Sequence, residues 1–389
     1  MGVAARRAGR TRDPRQPGPL RPGNAADGRG DRIPGEDSAP GSVPEAPGPP
    51  GPQTTAMKRS LLLPLLLAAG LAAIAAATAF GPSGLGPGEA IRALLAGPPS
   101  GPDAATASLV VWELRLPRAV LAWVVGAALA FSGTIFQGLF RNPLADPFVI
   151  GVSGGASVGA VAAIAFGASI SFLGLDTVPL FAFAGGVAAV AVVYLIGRSG
   201  GRASMETLLL AGLAVGAFCA ALTTLLLWMN AGGIAEMVLW LMGHRDAVRW
   251  SHVGAALPYV ALAAALGTAH ARDLNALSMG EEQAQQLGVS VSRARRALLA
   301  AGTLAAAASV AVSGLIGFVG LIVPHAMRRL IGADHRRLLP EAALAGGAFL
   351  VIADTAARIL PPSGLPLGIV TGLCGGPFFL YILKRKPAP

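Results

Sequence analysis

The hydrophobic residues of this chain fall into long runs that contain no Asp, Glu, Lys or Arg. A helix that crosses about 30 Å of hydrocarbon needs about 20 apolar residues, and a charge at its centre costs at least about 2.5 kcal/mol. Five such runs, each of 21 to 29 residues, lie between Arg118 and Arg141, Asp146 and Asp176, Asp176 and Arg198, Glu206 and Glu236, and Arg249 and Arg272. Each run predicts one membrane-spanning helix.

Further runs lie on both sides of these five. One covers 60–80, and two cover 339–360 and 365–383. The run 297–327 has 31 residues, too many for one span, and Gly314, Gly317 and Gly320 mark where it should break. The pattern therefore predicts an all-α integral membrane protein with about ten transmembrane helices.

Composition and charge agree with this prediction. Hydrophobic residues make up 53% of the chain, and the mean hydropathy is +0.62. The net charge of +10 does not indicate nucleic-acid binding, because the Lys and Arg residues follow the positive-inside rule. With an inside N-terminus and ten spans, the inner loops after Met57 hold sixteen of these residues and the outer loops six. Both termini are therefore expected in the cytoplasm.

The segment 1–56 differs from the rest. It has eleven Pro, ten Gly and few large apolar side chains, so it cannot bury enough surface to fold. We expect a disordered tail, or an over-extended reading frame with a natural start at Met57. The transmembrane domain is then 57–389, with one long charged cytoplasmic loop at 272–296. Within that loop a short helix is expected between Gly280 and Gly288, with Ala284 and Leu287 as an apolar contact.

Sequence signatures of catalysis are missing. The chain has no Gly-x-x-x-x-Gly-Lys-Ser/Thr phosphate loop, no His-Glu-x-x-His and no nucleophile elbow. Asp354 is the only acid well inside an apolar run, and Arg358, one helical turn on, is expected to neutralise it. The energy for transport should therefore come from another subunit. A proton-driven secondary transporter and a membrane enzyme acting on a tetrapyrrole precursor remain the competing classes.

Histidines give no metal site. His325 and His335 are expected at helix ends or in loops on the inner side, and His244 and His252 lie on the outer side, where nothing in the sequence supports a haem contact. No cysteine or histidine spacing matches a metal centre.

Six motifs carry a family resemblance. They are Leu114-Arg115-Leu116-Pro117-Arg118, the stretch from Gln137 to Pro147 around Asn142-Pro143-Leu144, the loop from Gly280 to Gly288, the stretch from Gly317 to His325, Asp334-His335-Arg336, and the stretch from Leu365 to Thr371. In this order, from about Met57 to Arg385, the chain resembles the permease subunit of type II ABC importers, which take up ferric siderophores, haem and cobalamin.

The resemblance implies an assembly in the bacterial cytoplasmic membrane. Two permease copies, identical or closely related, would enclose one path, with two cytoplasmic ATP-binding-cassette ATPases below and one substrate-binding protein above. The chain would bind no cofactor directly, since ATP is used by the partner ATPase. Ferric siderophore is the expected cargo, with cobalamin or haem as alternatives.

The resemblance also implies roles for particular residues. ATPase coupling is expected of Gly280, Glu281, Glu282, Ala284, Leu287 and Gly288. Docking of glutamates on the binding protein is expected of Arg115, Arg118 and Arg358, because the planar guanidinium can hold a carboxylate with two hydrogen bonds. An inner gate is expected at Asn142, Leu144, Ser204 and Met205. Met205 departs from the family, which often has small hydroxylated residues there.

Overall fold

The fold is taken from a computed structural model that describes residues 61–81, 84–99, 105–170, 172, 176–198, 205–243, 248–360 and 364–384. The expected tail 1–56, the start of the domain at Met57, Ser204 and His244 lie outside the described residues. Nearly all of the described chain is helical.

The helices are numbered in chain order. The first eight are α1 (Leu62–Ala79), α2 (Pro87–Ala96), α3 (Thr106–Leu109), α4 (Leu116–Leu139), α5 (Val152–Ala165), α6 (Thr177–Gly197), α7 (Met205–Met229) and α8 (Ile234–Leu241). The remaining seven are α9 (Trp250–Ala269), α10 (Ala271–Met279), α11 (Glu281–Gln286), α12 (Val291–Ser313), α13 (Val319–Ile331), α14 (His335–Ile359) and α15 (Leu367–Lys384). A π-helical turn, Val110–Arg115, joins α3 to α4, and a 3₁₀ turn, Pro147–Ile150, precedes α5.

The predicted all-α membrane fold is confirmed. Within the described residues seven helices are long and apolar enough to cross a membrane: α1, α4 with its N-terminal extension, α6, α7, α9, α12 and α14. Helices α5, α8 and α15 contain shorter apolar stretches. The run 297–327 breaks at Gly314, as expected. That residue has φ +72°, which favours glycine, and it ends α12 before α13 begins.

Helix α4 lies at the centre of the molecule. It packs against α14, α12, α13 and α9, and most of its side chains are buried on every side. A helix that is apolar all round is expected in such a position. Because the Arg115–Arg118 motif lies at its start and the Asn142 turn follows its end, α4 links the two ends of the molecule.

Close helix contacts depend on glycine. A Cβ on Gly126 of α4 would collide with the carbonyl oxygen of Gly346 in α14, and a Cβ on Gly155 of α5 would collide with that of Gly185 in α6. Such backbone contacts let helices associate where lipid gives no hydrophobic driving force. They fix α14 on α4 and α6 on α5.

Candidate functional site

The first candidate site is an ion cluster between the start of α4 and the C-terminal part of α14. The guanidinium of Arg118 donates through Nε to Asp354 Oδ1 and Oδ2 at 3.1 and 3.2 Å, and through Nη2 to Oδ1 at 3.0 Å. Arg358 Nε donates to Asp354 Oδ2 at 3.1 Å. The expected Asp354–Arg358 pair is therefore confirmed. The second arginine was not foreseen, because Arg118 is 236 residues away in sequence.

Arg115 lies beside this cluster but is turned inward. Its side chain is 4% exposed, and its Nη1 donates to the carbonyls of Thr78 and Ala79 at 3.1 and 2.9 Å, near the end of α1. Cations are favoured there because the last carbonyls of a helix carry partial negative charge. In this structure Arg115 therefore holds the end of α1, and its role in docking stays a prediction. Arg118, with 23% of its side chain exposed, is the most accessible of the three.

The second candidate site is the cytoplasmic loop formed by α10 and α11. Gly280 separates the two helices with φ +141° and ψ +156°, and a Cβ there would collide with the Gln283 side chain. Gly288 ends α11 with φ +81°. Only glycine adopts these conformations without strain. The short helix expected between the two glycines is present.

The two apolar residues of the α11 turn do not form the shared contact surface that was expected. Ala284 is fully buried in the core of the subunit, whereas Leu287 is 66% exposed. The prediction that they form one apolar surface is therefore wrong. The two residues are separated because Ala284 lies within α11 and is buried in the core, whereas Leu287 follows the last helical residue. Glu282 is exposed, and Glu281 is paired with Arg295 of α12.

Side-chain hydrogen bonds of Asn275, which the sequence did not predict, join the loop to α14. Asn275 of α10 donates through Nδ2 to Asp334 Oδ1 at 2.7 Å and accepts from the backbone N–H of His335 at 2.8 Å. Asp334 also caps α14 by accepting from the Arg336 N–H at 3.0 Å. The hydrogen bond from Asn275 is the largest cause of the lowered pKa of Asp334. The loop and α14 should therefore move together.

The third candidate site is the turn after α4. Arg141 has φ +50°, and the side chain of Asn142 accepts from the Leu144 N–H at 2.9 Å, which closes an Asx turn. Asn142 is exposed and Leu144 is half-buried. Burial raises the pKa of Asp146 to about 6, against the opposing effect of the hydrogen bond from the Phe148 N–H.

A buried polar side chain connects the end of α4 to α13. Gln137 of α4 donates to the Leu321 carbonyl at 3.1 Å. The ring of His325 lies edge-on to Phe378 of α15, with centroids 6.5 Å apart. Met205, the gate residue expected on α7, is half-buried against the apolar core. The gate at Asn142, Leu144 and Met205 stays a prediction, and Ser204 lies outside the described residues.

The described residues contain no candidate metal centre. Among the described residues no three His, Cys, Asp or Glu side chains come together. His252 accepts from the Arg249 N–H at 3.1 Å and so caps the start of α9.

Comparison with known proteins decides between the classes. The model of the FecCD transport family matches residues 66–385. This chain belongs to the FecCD transport family. The resemblance to permeases of type II ABC importers is thereby confirmed, and the chain is a transport subunit.

Several relatives are permeases of import systems. The chain is 49% identical over 281 residues to the cobalamin import system permease protein of Halobacterium salinarum, covering 72% of this chain and 75% of the relative. It is 44% identical over 281 residues to the hemin transport system permease protein of Yersinia pestis, covering 71% and 84%. It is 41% identical over 277 residues to the Fe(3+) dicitrate transport system permease protein of Escherichia coli, covering 71% and 85%.

A solved structure supports the fold. A metal-chelate type ABC transporter in an inward-facing conformation superposes with a TM-score of 0.70 at 30% sequence identity, covering 84% of this chain and 99% of that one. The all-helical fold of this transporter is therefore shared.

Proposed function

We propose that this chain is the membrane-spanning permease of an ATP-driven importer that moves a metal chelate from a substrate-binding protein into the cytoplasm. The observation that carries the proposal is the family match over 66–385, which includes every described candidate site. The chain itself breaks no bond, and ATP hydrolysis belongs to separate ATPase subunits.

The loop α10–α11 supports coupling to an ATPase. Leu287 and Glu282 are both exposed, while Ala284, Gly280 and Gly288 give the loop a fixed shape. An exposed leucine on a rigid cytoplasmic turn is suited to a groove in a partner. Motion of that partner would pass through Asn275 to α14, and through α10 to α4, which α10 also contacts. Each of two permease copies would hold one ATPase.

Docking of the substrate-binding protein belongs at the opposite end of α4. Arg118 is partly exposed and already aligned by Asp354, so it can receive a carboxylate with little loss of side-chain entropy. Arg358 and Arg115 stay docking candidates only if the outer end rearranges, because both are buried here. The positive-inside pattern supports a cytoplasmic-membrane location with both termini inside.

The identity of the cargo is the most specific part of the proposal. A ferric siderophore is the first hypothesis, since iron chelates are common cargo in this class. Cobalamin is the second candidate, because the relative that shares 49% identity is named a cobalamin import system permease. Haem is the third, supported by the hemin transport relative.

Uptake by cells tests the cargo. Cells with and without this gene are given radiolabelled iron as siderophore complexes or as haem, and labelled cobalamin. Loss of siderophore iron alone supports the first hypothesis, and loss of cobalamin or of haem alone replaces it. Unchanged uptake of all three in cells that carry no related permease contradicts the proposed metal-chelate cargo.

A further inference from the structure

An apolar groove opens between α6, α7 and α12 toward the inner end of the molecule. It has a volume of about 480 Å³ and is lined by aliphatic side chains that include Val187, Val190, Leu208 and Leu304. The groove is elongated along α12, because its lining residues run from Arg296 to Leu304, and eight residues of helix extend about 12 Å. A space of this shape suits a hydrocarbon chain.

A polar pocket of about 530 Å³ adjoins the groove at its cytoplasmic end. The two share Tyr194 and Arg296, so they form one continuous site with an apolar part and a charged part. The charged part also contains Arg198, Arg295 and Glu281. Since Glu281 is paired with Arg295, the charge left in the pocket is that of Arg198 and Arg296.

The two remaining arginines are available to a ligand. Both are exposed; Arg198 follows the last turn of α6, and Arg296 donates through Nε to the Ser292 carbonyl at 3.2 Å. That bond uses Nε and does not involve the terminal nitrogens of Arg296. Guanidinium groups are good partners for phosphate because they offer paired donors.

One buried polar group inside the groove also points to a ligand. Thr303 of α12 is 6% exposed and lines the groove, and its hydroxyl has no hydrogen-bond partner among the described residues. It lies seven residues, or about 10 Å, deeper along the helix than Arg296. An ester carbonyl of an acyl chain is an acceptor that could pair with it at this depth.

We propose that this site binds one anionic phospholipid, with its phosphate between Arg198 and Arg296 and one acyl chain in the groove. Basic pockets between transmembrane helices on the cytoplasmic side recognise anionic head groups in this way. The positive charge selects an anionic lipid over a zwitterionic one, and the groove selects a lipid over free phosphate.

The position of the head group has a consequence for coupling. The pocket wall includes Glu281 and Gln285 of α11, so a bound phosphate would lie against the helix that is proposed to contact the ATPase. The lipid would then brace α11 on α12. This consequence rests on the proposed function, whereas lipid binding itself does not.

Lipid binding is tested with the purified full-length chain after delipidation in detergent. Phosphatidylglycerol and phosphatidylcholine with the same acyl chains, and inorganic phosphate, are each titrated, and bound molecules are counted by native mass spectrometry alongside the thermal unfolding midpoint. We expect one tightly retained phosphatidylglycerol that raises the midpoint, weaker retention of phosphatidylcholine, and no effect of phosphate. Equal retention of both lipids, or an equal effect of phosphate, would overturn the proposal.

Three variants locate the site. Arg198→Gln and Arg296→Gln should each weaken phosphatidylglycerol retention about fivefold. Arg293→Gln removes an exposed arginine from the same turn of α12 that does not line the site, and it should change nothing. Ala300→Trp keeps both arginines but fills the groove, and it should also abolish the tight lipid. If Arg293→Gln has the same effect as Arg296→Gln, or if Ala300→Trp leaves lipid retention unchanged, the site is not a lipid site.

Discussion

At the scale of single residues, Asp354 is the group that we expect to matter most for the stability of the ion cluster at the outer end. It is 5% exposed in its side chain and is held between Arg118 and Arg358. Asp354→Ala would leave two cations without their carboxylate, and breaking a buried pair in this way costs about 3–5 kcal/mol. We expect a large fall in the thermal unfolding midpoint of the purified protein.

A matched variant separates charge from packing. In the triple variant Arg118→Met, Asp354→Leu, Arg358→Met all three charges are removed together, and replacement of a buried ion cluster by apolar side chains is often close to neutral. This variant should unfold near the native temperature while losing affinity for the substrate-binding protein. A triple variant as unstable as Asp354→Ala would show that the cluster itself stabilises the fold.

Asp146 gives a prediction about pH. Its pKa is raised from 3.8 to about 6 by burial, so the folded state binds the proton more tightly than the unfolded state. Stability from this group is present below pH 3.8 and is lost as the pH rises to about 6. Asp146→Asn keeps the acceptor for the Phe148 N–H but cannot ionise. Its free energy of unfolding should therefore be about 1–3 kcal/mol higher than that of the native protein at pH 7.5. Unfolding midpoints at pH 4.5 and 7.5 measure this.

The control for this pH effect is Glu282→Gln, which removes an exposed carboxylate. Its difference from the native protein should be small and similar at both pH values. If Asp146→Asn also shows the same difference at pH 4.5 and 7.5, ionisation of Asp146 does not limit stability.

At the scale of elements, α11 brings a proposed ATPase-binding residue, Leu287, and a core residue, Ala284, within three positions of each other. Leu287→Ser removes an exposed leucine, so it should leave the unfolding midpoint nearly unchanged but weaken association with the ATPase by about tenfold or more, as expected for loss of a leucine contact that binding would bury. Ala284→Ser places a hydroxyl in the core and should lower the midpoint instead. Pull-down of the ATPase by each variant, together with thermal unfolding, measures both effects.

The control for α11 is Gln286→Ser, an exposed neighbour of Leu287. It should alter neither stability nor ATPase association. Unchanged association after Leu287→Ser would contradict the proposed coupling surface.

How far the sequence predicts these elements depends on the distance over which each feature acts. The spans, the break at Gly314 and the Asp354–Arg358 pair depend on residues a few positions apart, and all three were predicted. The Arg118–Asp354 ion pair and the Asn275–Asp334 hydrogen bond join residues far apart in sequence, so they can be identified only once the packing of the helices is known. The inward turn of Ala284 and Arg115 likewise depends on neighbouring helices that periodicity does not specify.

At the scale of the whole molecule, several helices expose apolar side chains that a soluble protein would bury. Helix α7 exposes Leu210, Leu213, Phe218 and Trp228, and α15 exposes Leu373. Contiguous apolar faces of this kind mark contacts with lipid or with another subunit. They agree with a membrane location and leave room for the proposed second permease copy.

The source of energy is a property of the whole assembly, and it separates the proposed importer from a secondary transporter. No phosphate-binding loop occurs in the sequence, and among the described residues Asp354 is paired with two arginines. We therefore expect vesicles containing this chain, its ATPase and its binding protein to accumulate the labelled chelate only with ATP inside. An uncoupler that dissipates the proton gradient should leave the initial rate unchanged.

The decisive comparison uses the same vesicles with an ATPase variant that binds but does not hydrolyse ATP. Sustained accumulation should disappear in that variant, because repeated switching of the permease requires hydrolysis by the partner. Accumulation driven by an imposed proton gradient without ATP would contradict the importer. Two results together would support the importer: an initial uptake rate that the uncoupler does not change, and loss of accumulation with the ATPase variant that cannot hydrolyse ATP. They would show that the ATPase supplies the energy and that this chain supplies the path.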